Sequence, residues 1–161
     1  MTRCIGIDPA YAKPIAYAHR MGPPGERWVV GAVDPDDMTC LADVLRDAKK
    51  HGCMWAVIED CYLGKNAATH KGLAKMQGQL VTLAALSLLR VRLVPPSRWQ
   101  VDCLTQGTWR PKTHAEIVTA AKFRARGLTG TDWSEDKAVA VCLADWGDCH
   151  LSREMAHVET P

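Results

Sequence analysis

Residues 54–67, MWAVIEDCYLGKNA, join an apolar strand with an acidic end to the start of a helical pattern. The run from Met54 to Ile58 is continuously apolar, as in strands covered on both faces of a sheet. It ends at Glu59 and Asp60, where a carboxylate has a desolvation cost unless cations or hydrogen-bond donors surround it. We therefore predict an α/β domain with a ligand site where this strand ends.

The segments around this strand indicate a mixed sheet with helices on both faces. Apolar runs predict further strands at residues 3–8, 15–18, 28–33 and 91–94, and helical spacing predicts helices at 41–51, 67–89, 113–124 and 132–146. The turn sequence GPPG at 22–25 predicts that the first three strands form an antiparallel meander. The later alternation of helix and strand predicts parallel strands. We expect one domain over residues 1–161, an α/β fold with a five-stranded sheet, and a tail from about residue 150.

The charge of the chain is unevenly distributed, although the formal net charge is only +2. Residues 60–126 carry eleven basic and three acidic side chains, whereas residues 127–161 carry two basic and seven acidic ones. A basic block of this kind suits phosphate contacts, because Lys and Arg release the counterions of nucleic acids. Solvated helix faces explain such a block equally well, so charge alone leaves both interpretations open.

Composition excludes several classes of protein. No apolar stretch reaches the roughly 18–20 residues that span a bilayer, so we expect no membrane partner. The first residues lack the apolar core of a signal peptide, because Asp8 interrupts them, and we expect a cytoplasmic protein of a bacterial or phage-infected cell. The seven cysteines include no Cys-x-x-Cys pair, and the cysteines and histidines near the C-terminus lack the short paired spacings of zinc sites. Reduced thiols are expected.

Three carboxylates stand where elements of the predicted sheet end or begin. Asp8 follows the first strand, Glu59 follows the fourth, and Asp136 opens the apolar helical run 138–144. Parallel neighbouring strands would place Asp8 and Glu59 side by side. Carboxylates that converge in this way would repel one another, and two hard divalent cations would satisfy them.

Simpler roles are open for some of these acids. Asp8 precedes Pro9, and this pair can initiate a turn. Glu59 can be an ordinary acid at the end of a strand. Asp132 with Glu135 three residues later fits a capping box, which would make Asp132 the N-cap of the last helix.

Four blocks of sequence resemble the RuvC-like Holliday junction resolvases, which have the ribonuclease H-like fold. IGIDP at 5–9 resembles the family's opening strand, and VIEDCYLGKNA at 57–67 resembles its segment with a catalytic Glu, an aromatic residue and Lys-Asn before a long helix. VPP at 94–96 resembles its fifth strand, and DKAVAV at 136–141 resembles its last catalytic Asp and small-residue helix. The blocks follow the family's order over about residues 3 to 146.

The resemblance implies a homodimeric, Mg²⁺-dependent endonuclease that nicks two strands of a four-way DNA junction symmetrically, in recombination, repair or phage DNA processing. Asp8, Glu59 and Asp136 would hold two Mg²⁺ ions per active site, with Mn²⁺ able to replace them. Tyr62 matches the family's aromatic residue that stacks on junction bases. The candidates for phosphate contact are Lys65, Lys71, Lys75, Arg98, Arg110 and Lys112.

The fourth metal ligand of the family has no direct counterpart. The family has Asp or His three residues before the last Asp, and this chain has Trp133 there. Asp132, four residues before Asp136, would share its helix face and is our substitute. Glu135 is the alternative.

Other departures favour a divergent, phage-type member of such a family. Ala10 and Ile15 stand where the family usually has glycines, and Trp99 or Gln100 replaces a basic residue after the fifth strand. Two rival functions are considered: a related nuclease that cuts RNA or an RNA–DNA hybrid, and a catalytically silent junction-binding module. A sugar-kinase-like ATPase is rejected, because it needs two such domains.

Overall fold

The computed structural model describes residues 3–9, 13–22, 27–60 and 67–156, with only the backbone described at 67–70 and 153–156. The strands are β1 (Arg3–Asp8), β2 (Ile15–Arg20), β3 (Trp28–Val33), β4 (Cys53–Glu59) and β5 (Arg90–Val94). The helices are α1 (Met38–Lys50), α2 (Ala67–Leu86), α3 (Pro96–Leu104), α4 (His114–Thr129) and α5 (Glu135–Ala156). None of these helices is long and apolar enough to cross a membrane.

The five strands form one mixed sheet in the order β3-β2-β1-β4-β5. β2 is antiparallel to both β1 and β3, whereas β4 is parallel to both β1 and β5, as the sequence predicts. Ile7 lies opposite Ile58, and Glu59 lies opposite Val94. Asp8, Glu59 and Val94 therefore end three parallel strands at the same side of the sheet, which we call the carboxyl edge.

Helices cover both faces of the sheet. Ile5 and Ile7 of β1 point into a core formed with α1 and α2, whereas Cys4 points into a second core formed with α3, α4 and α5. These alternating positions are all buried, which explains why the central strands are apolar without a break.

Gly6 allows α5 to approach β1 at backbone distance. A Cβ atom at this position would collide with the carbonyl oxygen of Ala140 and the amide nitrogen of Ala144. One helical turn further on, a Cβ at Gly147 would lie 2.6 Å from Val57 Cγ2 and 2.8 Å from Cys4 Sγ. Two glycines, one on the strand and one on the helix, thus bring α5 directly onto the central strands.

The structure corrects the predicted helices in two places. The sequence predicts no helix at α3, because Pro95 and Pro96 directly follow a predicted strand and proline cannot continue it. Pro96 instead lies at the start of a helix, where its missing N–H costs nothing. α5 begins at Glu135, not at residue 132, and it runs to Ala156, so residues 150–156 continue the helix where a tail was expected. Leu151 in this last part is fully buried.

We expect Gly6→Ala to destabilise the protein by about 1–3 kcal/mol or more, because the new methyl group collides with helix backbone that cannot move alone. Gly78→Ala is the matched control, since a Cβ there meets nothing within 4 Å. Its expected effect is a gain of up to about 1 kcal/mol from better helix propensity. Urea denaturation measures both, and equal effects of the two substitutions would contradict the close-approach interpretation.

Candidate functional site

Three carboxylates meet at the carboxyl edge. Asp8 and Glu59 are the last residues of the neighbouring strands β1 and β4, and Asp136 lies in the first turn of α5. All three are half-buried. The structure therefore brings together the three acids on which the sequence analysis centred.

The charges at this site are only partly compensated. Burial raises the pKa of Asp8 well above its ordinary value, and the carboxylates of Glu59 and Asp136 raise it further. Lys13 acts in the opposite direction, and Glu135 adds a smaller increase. Negative charge thus accumulates around Asp8, and an additional cation would be favoured there.

Lys13 provides the one ammonium group among the described residues that contacts these acids. Its Nζ donates a 2.6 Å hydrogen bond to Asp136 Oδ1, and this bond raises the pKa of Lys13. The Lys13 side chain is 56% exposed, so the ammonium group can also reach solvent. Among the described residues, no hydrogen-bond donor contacts the second oxygen of Asp136.

Trp99 donates a hydrogen bond to Glu59. The indole Nε1 of this fully buried residue, in the first half of α3, lies 2.8 Å from Glu59 Oε1. Burial raises the pKa of Glu59 and the Trp99 hydrogen bond lowers it, with burial the larger effect. Trp99 therefore orients the carboxylate and favours its charged form without adding a positive charge.

The position of Asp132 differs from the sequence prediction. Because α5 begins at Glu135, Asp132 lies before the helix and does not share a helix face with Asp136. Its side chain is 78% exposed and lies 3.5 Å from Arg126. Glu135, in contrast, is one of the carboxylates that raise the pKa of Asp8, and it lies 3.3 Å from His114 at the start of α4. This electrostatic effect on Asp8 is the observation that supports Glu135, the alternative to Asp132, as the fourth acid.

The donor set fits a hard divalent cation in its chemistry. Within the described residues, no three His, Cys, Asp or Glu side chains are spaced to enclose one metal ion. The acids at the carboxyl edge nevertheless supply only carboxylate oxygens, the ligands that Mg²⁺ prefers, and they raise the pKa of Asp8 by mutual repulsion. By their chemistry, Asp8, Glu59 and Asp136 are the candidate ligands for such ions.

The predicted DNA-contact residues are distributed over three elements. Lys71 and Lys75 are exposed on α2, and Arg110 and Lys112 are exposed between α3 and α4. Arg98 on α3 is exposed too, but its Nε lies 3.1 Å from Asp102 Oδ2. Two further candidates fall outside the described residues: Tyr62 and Lys65.

Sequence reasoning missed the contacts of Lys13 and Trp99 with the acids. Lys13 lies 123 positions from Asp136, and no local pattern connects the two. For Trp99 there was a signal: the resemblance placed Trp99 or Gln100 where the family has a basic residue. The structure shows that Trp99 is the one that contacts Glu59.

We expect Asp8→Asn to stabilise the metal-free protein at pH 7–8 by an amount on the order of 1 kcal/mol. The folded chain binds the carboxyl proton of Asp8 more tightly than the unfolded chain does. The stability of the protein therefore falls as the pH rises above 3.8, the ordinary pKa of Asp, and the buried acid ionises. The neutral amide removes that loss. Urea denaturation in EDTA at pH 4.5 and pH 8 measures the stabilities of the variant and of the unmodified protein. The exposed acid Asp132 supplies the control, and Asp132→Asn should change stability by less than about 0.5 kcal/mol. If Asp8→Asn lowers the stability at pH 8, the electrostatic explanation is wrong.

We expect Trp99→Phe to destabilise the metal-free protein more at pH 8 than at pH 4.5, by about 1–2 kcal/mol at the higher pH. The lost N–H favours the ionised form of Glu59, whose pKa is raised by burial, so the cost is larger once this acid is charged. Trp146→Phe is the control, because Trp146 Nε1 donates to Asp102, whose pKa lies below 3.8. The part of its cost that comes from this hydrogen bond should be the same at both pH values. A Trp99→Phe effect that does not change with pH would show that Trp99 acts only through packing.

The sequence matches no protein-family model and no curated protein. Among solved structures, RuvC of Thermus thermophilus in complex with a Holliday junction substrate superposes with a TM-score of 0.70 at 12% identity, over 96% of this chain and 97% of that chain. A second Thermus thermophilus RuvC structure gives a TM-score of 0.68 at 12% identity, over 94% and 96% of the two chains. Both chains are covered almost completely, so the likeness extends over nearly their whole length. The chain therefore has the ribonuclease H-like fold seen in RuvC, as the sequence resemblance implied.

Proposed function

We propose that this protein is a structure-selective endonuclease that resolves four-way DNA junctions by paired symmetric nicks. The observation that carries the proposal is the convergence of Asp8, Glu59 and Asp136 at the carboxyl edge. The fold supports it, because a protein with the same fold has been solved with a Holliday junction substrate. Recombination, repair or phage DNA processing is the proposed context.

The acids of the site would hold two Mg²⁺ ions, or Mn²⁺ in their place. When bound, these ions supply an activated water and stabilise the leaving 3′ oxygen. Trp99 keeps one oxygen of Glu59 in place through its indole N–H, so that carboxylate is oriented before any ligand arrives. Lys13 holds one oxygen of Asp136, and its exposed stem lets the ammonium group follow that carboxylate or turn towards a phosphate.

Exposed cations on either side of the site would bind the DNA backbone. Lys71 and Lys75 lie on α2, the helix that follows the Glu59 strand. Arg110 and Lys112 lie just before α4, whose first residue contacts Glu135. A homodimer would present two such sites to one junction, and paired nicks need two active sites. Each phosphate contact contributes to affinity without sequence preference.

We expect a synthetic four-way junction with Mg²⁺ to be nicked in pairs, while duplex and RNA–DNA hybrid controls stay intact. Glu59→Gln should lower the cleavage rate by more than about 100-fold. Residues that contact a metal ligand, and not the metal itself, usually cause smaller losses when they are replaced. Junction binding should persist, because the substitution removes a ligand oxygen and leaves the basic surface unchanged. Gel assays of cleavage and mobility shift measure the two properties.

The control in this assay is Asp132→Asn, which should leave cleavage near the unmodified rate because Asp132 is exposed and paired with Arg126. Glu135→Gln should lower the rate clearly. Equal cutting of the hybrid would support the RNA-directed alternative, and junction binding without cleavage would support the silent binding module. A larger loss in Asp132→Asn than in Glu135→Gln would restore Asp132 as the fourth ligand.

A further inference from the structure

An apolar groove lies beside the first three turns of α4, separate from the acids. It has a volume of about 460 Å³, within the range of ligand sites. Its walls are Gln106 and Trp109 from the segment before the helix, and Ala115, Glu116, Thr119, Ala120 and Phe123 from the helix itself. Trp109 is 46% exposed and Phe123 is 70% exposed. Two large aromatic side chains thus face solvent in one groove.

The groove begins next to the candidate active site. His114, the first residue of α4, lies 3.3 Å from Glu135, which is one of the acids around Asp8. At the other end of α4, the carbonyl oxygen of Leu128 accepts a hydrogen bond from Trp28 Nε1. Trp28 is the first residue of β3, so this end of α4 lies at the end of the sheet opposite the carboxyl edge. The groove follows the first half of the helix and therefore leads away from the acids.

A closed turn holds Trp109 in position. The backbone N–H of Gln106 donates to the Trp109 carbonyl oxygen at 3.1 Å, and the Trp109 N–H donates to the Gln106 carbonyl oxygen at 3.0 Å. These two hydrogen bonds fix the backbone on both sides of the indole. An exposed indole on a fixed turn loses little conformational freedom when a flat partner stacks on it.

Basic residues are next in the chain to aromatic residues that line the groove, since Arg110 follows Trp109 and Lys122 precedes Phe123. The groove's one carboxylate, Glu116, accepts hydrogen bonds from the backbone N–H groups of Lys112 at 2.7 Å and Thr113 at 3.0 Å, and these bonds lower its pKa. The exposed side chains of Arg110, Lys112 and Lys122 form no ion pair within 4 Å in the described part of the chain. Aromatic surface with cations close by in the chain suits a ligand that is flat, apolar on its faces and attached to anions.

We propose that this groove binds an unstacked nucleobase of the DNA strand next to the cleavage site, with Trp109 as its stacking platform. Arg110 and Lys112 would contact the neighbouring phosphates. A nucleobase combines a flat apolar face with an anionic backbone, which is the combination that the groove and the basic residues near it in the chain complement. The inference rests on the proposed function, and it adds a contact with the DNA strand to the one proposed for Tyr62.

The test is DNA binding by a protein that cannot cut. In the Glu59→Gln background, fluorescence anisotropy measures affinity for a labelled four-way junction and for a labelled single strand of thymidines. Trp109→Ala should weaken both by about 5- to 150-fold, the measured range for losing one stacked base. The slope of affinity against salt should not change, because no phosphate contact is lost.

Three further variants and one control separate stacking from other roles. Trp109→Phe should retain most of the affinity, whereas Trp109→Leu, which keeps apolar bulk without an aromatic face, should weaken binding as Trp109→Ala does. Lys112→Ala should weaken binding and also lower the salt slope by about 1. Leu86→Ala is the matched control for an exposed apolar residue, since Leu86 is 75% exposed at the far end of α2, and its affinity should be unchanged.

Unchanged affinity in Trp109→Ala and Trp109→Leu would overturn the inference and leave the groove to another occupant, such as an apolar protein segment, while junction cleavage could still be confirmed. If junctions bind no better than duplex but the single strand depends on Trp109, the proposed function fails and the stacking platform is supported. Absence of any DNA binding would overturn both. Thermal melting of Trp109→Leu checks that the loss is not caused by unfolding.

Discussion

The contact between the backbones of β1 and α5 determines where the acids of the site lie. Asp8 ends the strand and Asp136 begins the helix, so their separation depends on how closely the two elements approach each other. Gly6 permits an approach that any side chain would prevent. The parallel pairing of β1 with β4 then adds Glu59. The site is thus a product of main-chain packing, with each acid placed by the end of its own element.

The same packing creates an electrostatic cost that the protein only partly offsets. Carboxylates are held close together in a half-buried place, where water screens their repulsion poorly. Lys13 neutralises part of the charge at Asp136, and Trp99 supplies a hydrogen bond to Glu59. What remains around Asp8 is an excess of negative charge. Stability is given up there, as is common at functional sites.

Much of the fold and part of the site could be predicted from sequence, because the deciding signals are local. Continuous apolar runs identify the central strands, and their acidic ends identify Asp8 and Glu59. What could not be predicted depends on distant contacts or on where a helix begins. α5 starts at Glu135, so Asp132 lies before the helix, whereas Glu135 lies in its first turn and raises the pKa of Asp8. Lys13 meets Asp136 only through the folded chain.

The donor to Glu59 is a neutral indole, whereas the partner of Asp136 is an ammonium ion, and the two contacts respond differently to ionic strength. Dissolved ions screen the attraction between Lys13 and Asp136, whose side chains are both partly exposed. The donor of the Trp99 hydrogen bond is an uncharged indole on a buried side chain, so dissolved ions hardly weaken this bond. As ionic strength rises, the Asp136 side of the site loosens while Glu59 stays oriented by its fixed partner.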